Sequence, residues 1–468
     1  MWQIIKNEWS FLRRSRTLLG LSLGFAGILI LSIYLGHLQT NAQTKVCQEA
    51  QAHLRAQWED IECMNPHGAA HYGTYVFKPV GLLGSLDEGV RSVTGNVLRV
   101  EAHVQHEIVH SEASQMQTAS AFGKLNGSLL LQYILPLLLI FLAYQAISGE
   151  KQSGRLKLLI LQGASANSLI WGKTLAVWFY GMALLSVTVG AYVLLHFQSL
   201  NADLLCRTLL FFAAYVIYYF IVCGLTVVLS ARWKQASLAL TTMLGIWIVW
   251  TIFLPNILMS AIEKWHELPS RNTFQTDMKD DRAEGLDGHN PRDVRRKALK
   301  EETLRKYEGD DLSELPINFT GVVMQADEEF GNQVWDKHFG NLRSVMQQQK
   351  RSYQTAGIFD PFIALQNVSR GFAGNDNLHH HHFLRQAENY RRVLIKTLND
   401  KLAYGGSKTG ERWEAGNEFY RSVPDFDYEP VSVATVLPEY ARDFAVLLMW
   451  AGALSFLMIF TTRKLQVL

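Results

Sequence analysis

Six stretches of this chain run for about twenty residues or more without Asp, Glu, Lys or Arg. They are Thr17–Gly36, Leu125–Ser148, Thr174–Phe197, Thr208–Ser230, Ser237–Ile262 and Phe444–Thr462. About 20 apolar residues rising ~1.5 Å each cover a ~30 Å hydrocarbon layer. Within that layer the backbone has no water to bond, so each stretch is predicted to be a helix. Pro136 and Pro255 fall inside the second and fifth stretches, where each removes a helical hydrogen bond and predicts a kink. Charged residues make up only 18% of the 468 residues, against ~25% in soluble proteins. The expected fold class is therefore an all-α polytopic membrane protein, with six transmembrane helices and two large, mainly helical outer regions. An ordinary soluble enzyme is excluded. A net charge of +2 gives no reason to expect a nucleic-acid partner.

Orientation follows from the short segments. Lys6, Arg13, Arg14 and Arg16 precede the first span, and Lys151, Arg155, Lys157 and Lys173 follow the second. Arg232 and Lys234 follow the fourth, and Arg463 and Lys464 follow the sixth. With six spans all four clusters share one side, which the positive-inside rule makes cytoplasmic. The expected organisation is a cytoplasmic interfacial helix (1–16), spans 17–36, 125–148, 174–197, 208–230, 237–262 and 444–462, and a cytoplasmic tail (463–468). Residues 149–173 form a cytoplasmic loop, and 37–124 and 263–443 are the outer regions. Both termini are expected to be cytoplasmic, in a bacterial inner membrane. Trp2, Ile5, Trp9 and Leu12 recur at helical spacing, as in a helix lying on the lipid headgroups.

Several short patterns could carry chemistry. Gly172-Lys173-Thr174 lacks the upstream glycine and strand of a phosphate-binding loop, and no other stretch resembles one. His106-Glu107-Ile108-Val109-His110 matches the HExxH zinc-peptidase pattern, which would put His106 and His110 on one helix face with Glu107 as general base. His103 adds a histidine one turn earlier, but no third ligand is evident downstream before the second span apart from Glu112, so a solvated helix is the plainer reading. Adjacent members of the run His379–His382 point in different directions on a helix, so at most two could share a metal. Cys47 and Cys63 fall in one outer region and are expected to pair in an oxidising compartment. The second outer region should contain helices from Asn290-Pro291, over Gly321–Gln349 and from Asn377 to Gly405-Gly406, the last burying a stripe of Phe383, Tyr390 and Leu394.

The loop after the second span reads Gly149-Glu-Lys-Gln-Ser-Gly154-Arg-Leu-Lys-Leu-Leu159, then Gly163, then Gly172-Lys173. It resembles the corresponding loop of type-2 ABC exporter permeases at Glu150, Gly154, Leu156, Leu159 and Lys173, while Arg155 departs from the usual threonine. The resemblance implies a non-catalytic permease subunit with a separate ABC ATPase docked on this loop, ATP and Mg on that partner, and no cofactor in this chain. A second permease subunit, the same chain or a paralogue, and membrane lipid complete the expected partners. Leu156, Leu158 and Leu159 would then fill a groove on the ATPase, and Glu150 would meet one of its basic residues.

Tyr75-Val-Phe-Lys-Pro79, Leu86-Asp-Glu-Gly-Val90 and His103 resemble a subgroup with large outer insertions, often labelled multi-copper enzyme maturation permeases. Asn318, Pro361, Asp376, His382, Phe383, Glu388, Tyr390 and Arg391 lie in further motifs of that resemblance, which leaves room for a periplasmic partner. The alternatives are a membrane-bound zinc peptidase using His106, Glu107 and His110, and a metal-handling scaffold built on the histidines.

Overall fold

The computed structural model describes residues 1–106 and 126–463. Among the described residues, six helices are long and apolar enough to cross a membrane. They are α2 (Arg16–Glu59), α4 (Gly127–Gln152), α6 (Ala166–Leu195), α7 (Ala202–Arg232), α8 (Ala236–Trp265) and α14 (Val433–Arg463). Each covers all or nearly all of one of the charge-free stretches. α7 sits at the centre, packed on α6, α14 and α4, with Phe211, Tyr215, Tyr218 and Tyr219 fully buried.

The two prolines produce a specific distortion. The helix winds wider, as a π turn, over Leu130–Ile134 just before Pro136 and over Val249–Phe253 just before Pro255. An inserted residue absorbs the missing proline N–H without breaking either span.

The first span does not stop at the membrane. α2 runs unbroken for 44 residues, or ~66 Å at ~1.5 Å per residue, so about half of it projects beyond a ~30 Å hydrocarbon layer. Its far end is fixed by Arg55, which donates to Val423 O at 2.7 Å and Arg421 O at 2.8 Å, and by Trp58, which donates to Gly73 O at 3.1 Å.

The two large outer regions form one body. Strand β1 (Cys63–Met64) pairs antiparallel with β4 (Ala415–Gly416), and β2 (Thr74–Phe77) with β3 (Val97–Val100). Helix α3 (Pro66–Tyr72) packs on α13 (Asn377–Tyr404). Trp58, Val76, Leu98, Phe383, Leu394, Tyr420 and Phe426 share one core. Regions that interdigitate in this way must lie on the same side of the spans.

Helix α9 spans Arg271–Glu284, α10 Arg292–Lys306 and α11 Phe319–Ala356. Helix α10 starts one residue later than the sequence implies, because Pro291 itself is the N-cap. Asn318 caps α11, so that helix begins two residues before Gly321.

The second outer region is not wholly outside the membrane helices. α11 leads through a tight turn into α12 (Pro361–Ala373), which packs on α7 and α14 and shares their core. The Phe362 ring lies 5.1 Å from Tyr133 and 6.3 Å from Tyr218. Tyr218 is ten residues into the charge-free part of α7, roughly 15 Å along it. Trp450 of α14 donates to Ile358 O at 3.0 Å. The α11–α12 turn is therefore a re-entrant element, dipping among the spans and returning.

Its polar side chains are paired there. Gln366 donates to Tyr133 Oη at 3.2 Å, Asn367 to Asp443 at 2.8 Å, and Ser369 Oγ lies 2.9 Å from Tyr215 Oη. Hydrogen bonding of this kind is what lets polar groups be buried.

Candidate functional site

The face carrying the basic short segments is built around Lys173. Helix α1 (Trp2–Arg14) lies against α6. Ile4 covers Gly172, where an added Cβ would come within 3.0 Å of it. Trp9 donates its indole N–H to Ala176 O at 3.1 Å, while Trp2 and Phe11 stay exposed. The lead is thus a helix clamped to a span, with Ile5 buried.

Lys173 is only 5% exposed. Its Nζ donates to Glu8 Oε1 at 2.8 Å and Glu150 Oε1 at 3.1 Å, and Glu150 Oε2 takes Arg155 Nε at 3.0 Å. A buried ammonium is tolerable only with such partners. One residue thus ties α1, the end of α4 and the start of α6 together. The end of α4 is also fixed to α7, because Ile147 and Ser148 each donate a backbone N–H to Ser230 Oγ at 3.0 Å.

Helix α5 (Arg155–Leu161) follows. Gly154 and Gly163 bracket it with φ of 71° and 89°, a region that favours glycine. Open space surrounds both, so conformation and not crowding requires them. Ser165 caps α6 by accepting from Ser168 N at 3.1 Å, as its position predicts.

Two expectations are corrected here. Leu156 is 2% exposed and Leu159 is partly buried, both packed into the chain's own core. Leu158, the third residue of that patch, does face outward, and Leu161 joins it, at 59% and 83% exposure. Glu150 does not wait for a partner's cation, because Lys173 and Arg155 already hold it.

On the opposite side a cavity of about 980 Å³ opens between the re-entrant element, α8, α11 and α13. Its floor includes Tyr133 and Thr251 from the two π turns and Gln366 from α12; Lys350, His380 and Arg392 stand on its walls. Burial pushes the His380 ring down to about 3, helped by Lys78 and His381. Lys78, donating to His380 Nδ1 at 3.4 Å, is itself pushed down to about 8 by burial. The cavity combines an apolar, span-lined floor with a polar outer wall.

Residues 2–286 match the family described as ABC-2 family transporter protein. That match covers more than half of the chain. The chain belongs to the ABC-2 transporter family. A domain of unknown function, DUF3526, matches residues 271–429. No curated protein matches the chain. The ABC-2 match takes in α1, the Lys173 node and five of the six spans, while the DUF3526 match takes in the re-entrant element and most of the outer body.

In this ABC-2 permease the outer motifs are brought together by pairs. Leu86–Val90 meets Gly374–Asp376: Asn375 Nδ2 donates to Asp87 O at 2.7 Å, and Val90 N donates to Asn375 O at 2.8 Å. An added Cβ on Gly89 would fall 2.2 Å from Asn375 O. Asp376 caps α13 and also bonds His379 and Tyr440. Pro361 is the first residue of α12, behind the Asp360 cap.

Asn318 is buried, donating to Ser407 Oγ at 3.0 Å, which leaves it unable to carry a glycan. His382 bonds Glu429 O. Phe383 is buried, and Tyr390 packs at a tilt against Phe426, ring centres 5.5 Å apart, and donates to Pro424 O at 3.2 Å.

Glu388 and Arg391 are not a solvated pair. Arg391 Nε and Nη2 donate to Glu388 at 2.8 and 2.9 Å, and Nη1 donates to Glu328 at 3.0 Å. Glu328 in turn accepts from His103 at 2.6 Å. Its carboxyl is held down to about 2: burial acts upward and is overcome by the His103 hydrogen bond and the Arg391 charge. Glu328 carries no signal in the sequence beyond its charge, and reasoning from motifs missed it.

The expected disulfide is absent. Cys47 and Cys63 are both free. α2 continues twelve residues past Cys47 to Glu59, ~18 Å of rigid helix, whereas a disulfide needs Cα atoms within ~7 Å. Of the HExxH residues, His106 pairs with Glu101; Glu107 and His110 lie outside the described residues.

Proposed function

We propose that this ABC-2 permease is the membrane subunit of an ATP-driven complex in the bacterial inner membrane, with both termini cytoplasmic. A separate ABC ATPase, carrying ATP and Mg, docks on α5. A second permease subunit completes the assembly. The observation that carries this reading is the Lys173 node. Force applied to α5 passes through Arg155 and Glu150 to Lys173, and from there to α1 and α6 together. The inner end of α4 moves with it through Ser230 of α7.

The outward Leu158 and Leu161 supply apolar contacts, and Arg155 and Lys157 beside them favour an acidic rim on the partner. Hydrolysis on the basic side then rearranges spans whose π turns floor the distal cavity. That cavity receives, gates or passes on the cargo. The outer motifs also resemble those of the large-insertion subgroup labelled multi-copper enzyme maturation permeases, a generic label that names no cargo.

Truncating a central apolar anchor at an interface commonly costs ~2 kcal/mol or more. Leu158→Ser with Leu161→Ser should therefore release the ATPase on purification or uncouple its turnover from transport, leaving the outer body folded. Full copurification with unchanged coupled turnover would refute α5 as the docking element.

A further inference from the structure

Three histidines from two separate segments meet on the outer body, away from the cavity. His67 and His71 are four apart on α3, so they share a helix face. His103 follows β3. One ring nitrogen from each lies within 4.8 Å of the others. The rings are 4.7, 5.3 and 5.1 Å apart, centre to centre.

The Nε2 atoms of His67 and His71 face each other at 3.2 Å. Two ligands bound to zinc at ~2.0–2.1 Å in tetrahedral geometry stand ~3.3–3.4 Å apart, so this spacing is already that of a coordination edge.

The surroundings orient the rings as a metal site requires. His103 Nδ1 lies 2.6 Å from Glu328 Oε1. A carboxylate on Nδ1 fixes the tautomer and leaves Nε2 free with its lone pair, the arrangement that accompanies metal-bound histidine. The backbone N–H of His103 donates to the same oxygen, and its carbonyl accepts from Arg282 at 3.1 Å. His103 sits at φ 64°, one of two non-glycine residues with positive φ among those described, a conformation maintained only where its neighbours enforce it. Arg391 and Glu388 anchor Glu328 from behind.

His67 is supported too. Its Nδ1 faces Asn399, yet neither that nitrogen nor Asn399 Oδ1 makes a hydrogen bond of ordinary geometry. A small rotation of His67 towards a ligand at Nε2 would align the two.

We propose that His67, His71 and His103 bind one divalent transition-metal ion of the zinc class. His71 is exposed, so a fourth position stays open to water or to a donor from another molecule. Three ligands with one open position is the pattern of reactive or transferable zinc, and not of a closed structural site. The site would take its ion from, or present it to, the outer compartment.

The test uses full-length protein in detergent, stripped with chelator and titrated with Zn2+ alone against a chromogenic competitor. Co2+ absorption serves as a second readout. Wild type should bind one equivalent that His71→Gln, a surface change, loses along with the tetrahedral Co2+ bands. Glu328→Gln should weaken binding ~10–100-fold, as outer-shell changes do. His380→Gln with His381→Gln should retain the equivalent, which separates this site from the histidine run. Two results would overturn the proposal. One is wild type that binds no zinc. The other is an equivalent that survives in His67→Gln/His71→Gln protein of unchanged melting temperature.

Discussion

Replacing Arg391 with methionine puts the buried ion network to a quantitative test. The guanidinium side chain is 5% exposed, and the side chains of its partners Glu328 and Glu388 are 4% and 10% exposed. Removing one member of a buried ion pair costs ~3–5 kcal/mol, because the remaining charge stays desolvated. Here the cost belongs at the lower end. Glu388 keeps Arg392 Nε at 2.8 Å, and Glu328 keeps His103.

About 3 kcal/mol in a body of this size lowers the melting temperature by ~6–12 °C, at ~2–4 °C per kcal/mol. Tryptophan fluorescence of the protein in nanodiscs would follow the transition. Arg391→Met combined with Glu388→Gln and Glu328→Gln should recover most of the loss, since no ion then remains buried without a partner. A single variant within about 2 °C of wild type would refute the reasoning. So would a triple variant less stable than the single one.

Gly371→Ala should destabilise although alanine favours a helix. Its Cβ would fall 2.2 Å from Tyr440 Cε2, and Tyr440 is held by Asp376. Overpacking costs ~1–3 kcal/mol, more than the ~1 kcal/mol gained in propensity, and an unchanged melting temperature would contradict the close α12–α14 packing. His380 is held neutral in the fold, its pKa about 3 against an ordinary 6.5. The unfolded chain takes up that proton first, so stability falls as pH drops from 6.5 towards 3 and is level above 6.5. His380→Gln should flatten this fall in acid melts, and an identical slope in both proteins would count against it. Cys47 and Cys63 should both alkylate without reductant, and a disulfide-linked peptide would contradict the straight course of α2.

The spans were legible because the absence of charge over twenty residues has few other meanings. The faces of short helices were not. Leu156/Leu159 and Leu158/Leu161 are both pairs three apart, and only packing decides which pair turns inward. α12 reads as an outer helix because Gln366, Asn367 and Ser369 look solvated. Their partners lie on other helices, so no local pattern reveals that they are satisfied among the spans. The Arg391 network was half visible: Glu388 is its neighbour in sequence, but Glu328 arrives from α11. His67 and His71 stand at helical spacing but drew no notice in the sequence, because the third histidine comes 32 residues after His71, on a residue of unusual backbone conformation.

The re-entrant element has a consequence in time. α7 presents Tyr215 and Tyr218 to a helix that has not been made when α7 itself enters the membrane. About 140 residues separate Tyr218 from Pro361, which at ~5–20 residues per second is ~7–30 s of synthesis. During that interval the aromatic wall of α7 and the open end of α4 face lipid or a temporary companion. Insertion therefore ends only when α12 slides in from the far side and α14 closes behind it. A chain cut before residue 361 would give five spans with an unfilled notch, not a smaller permease.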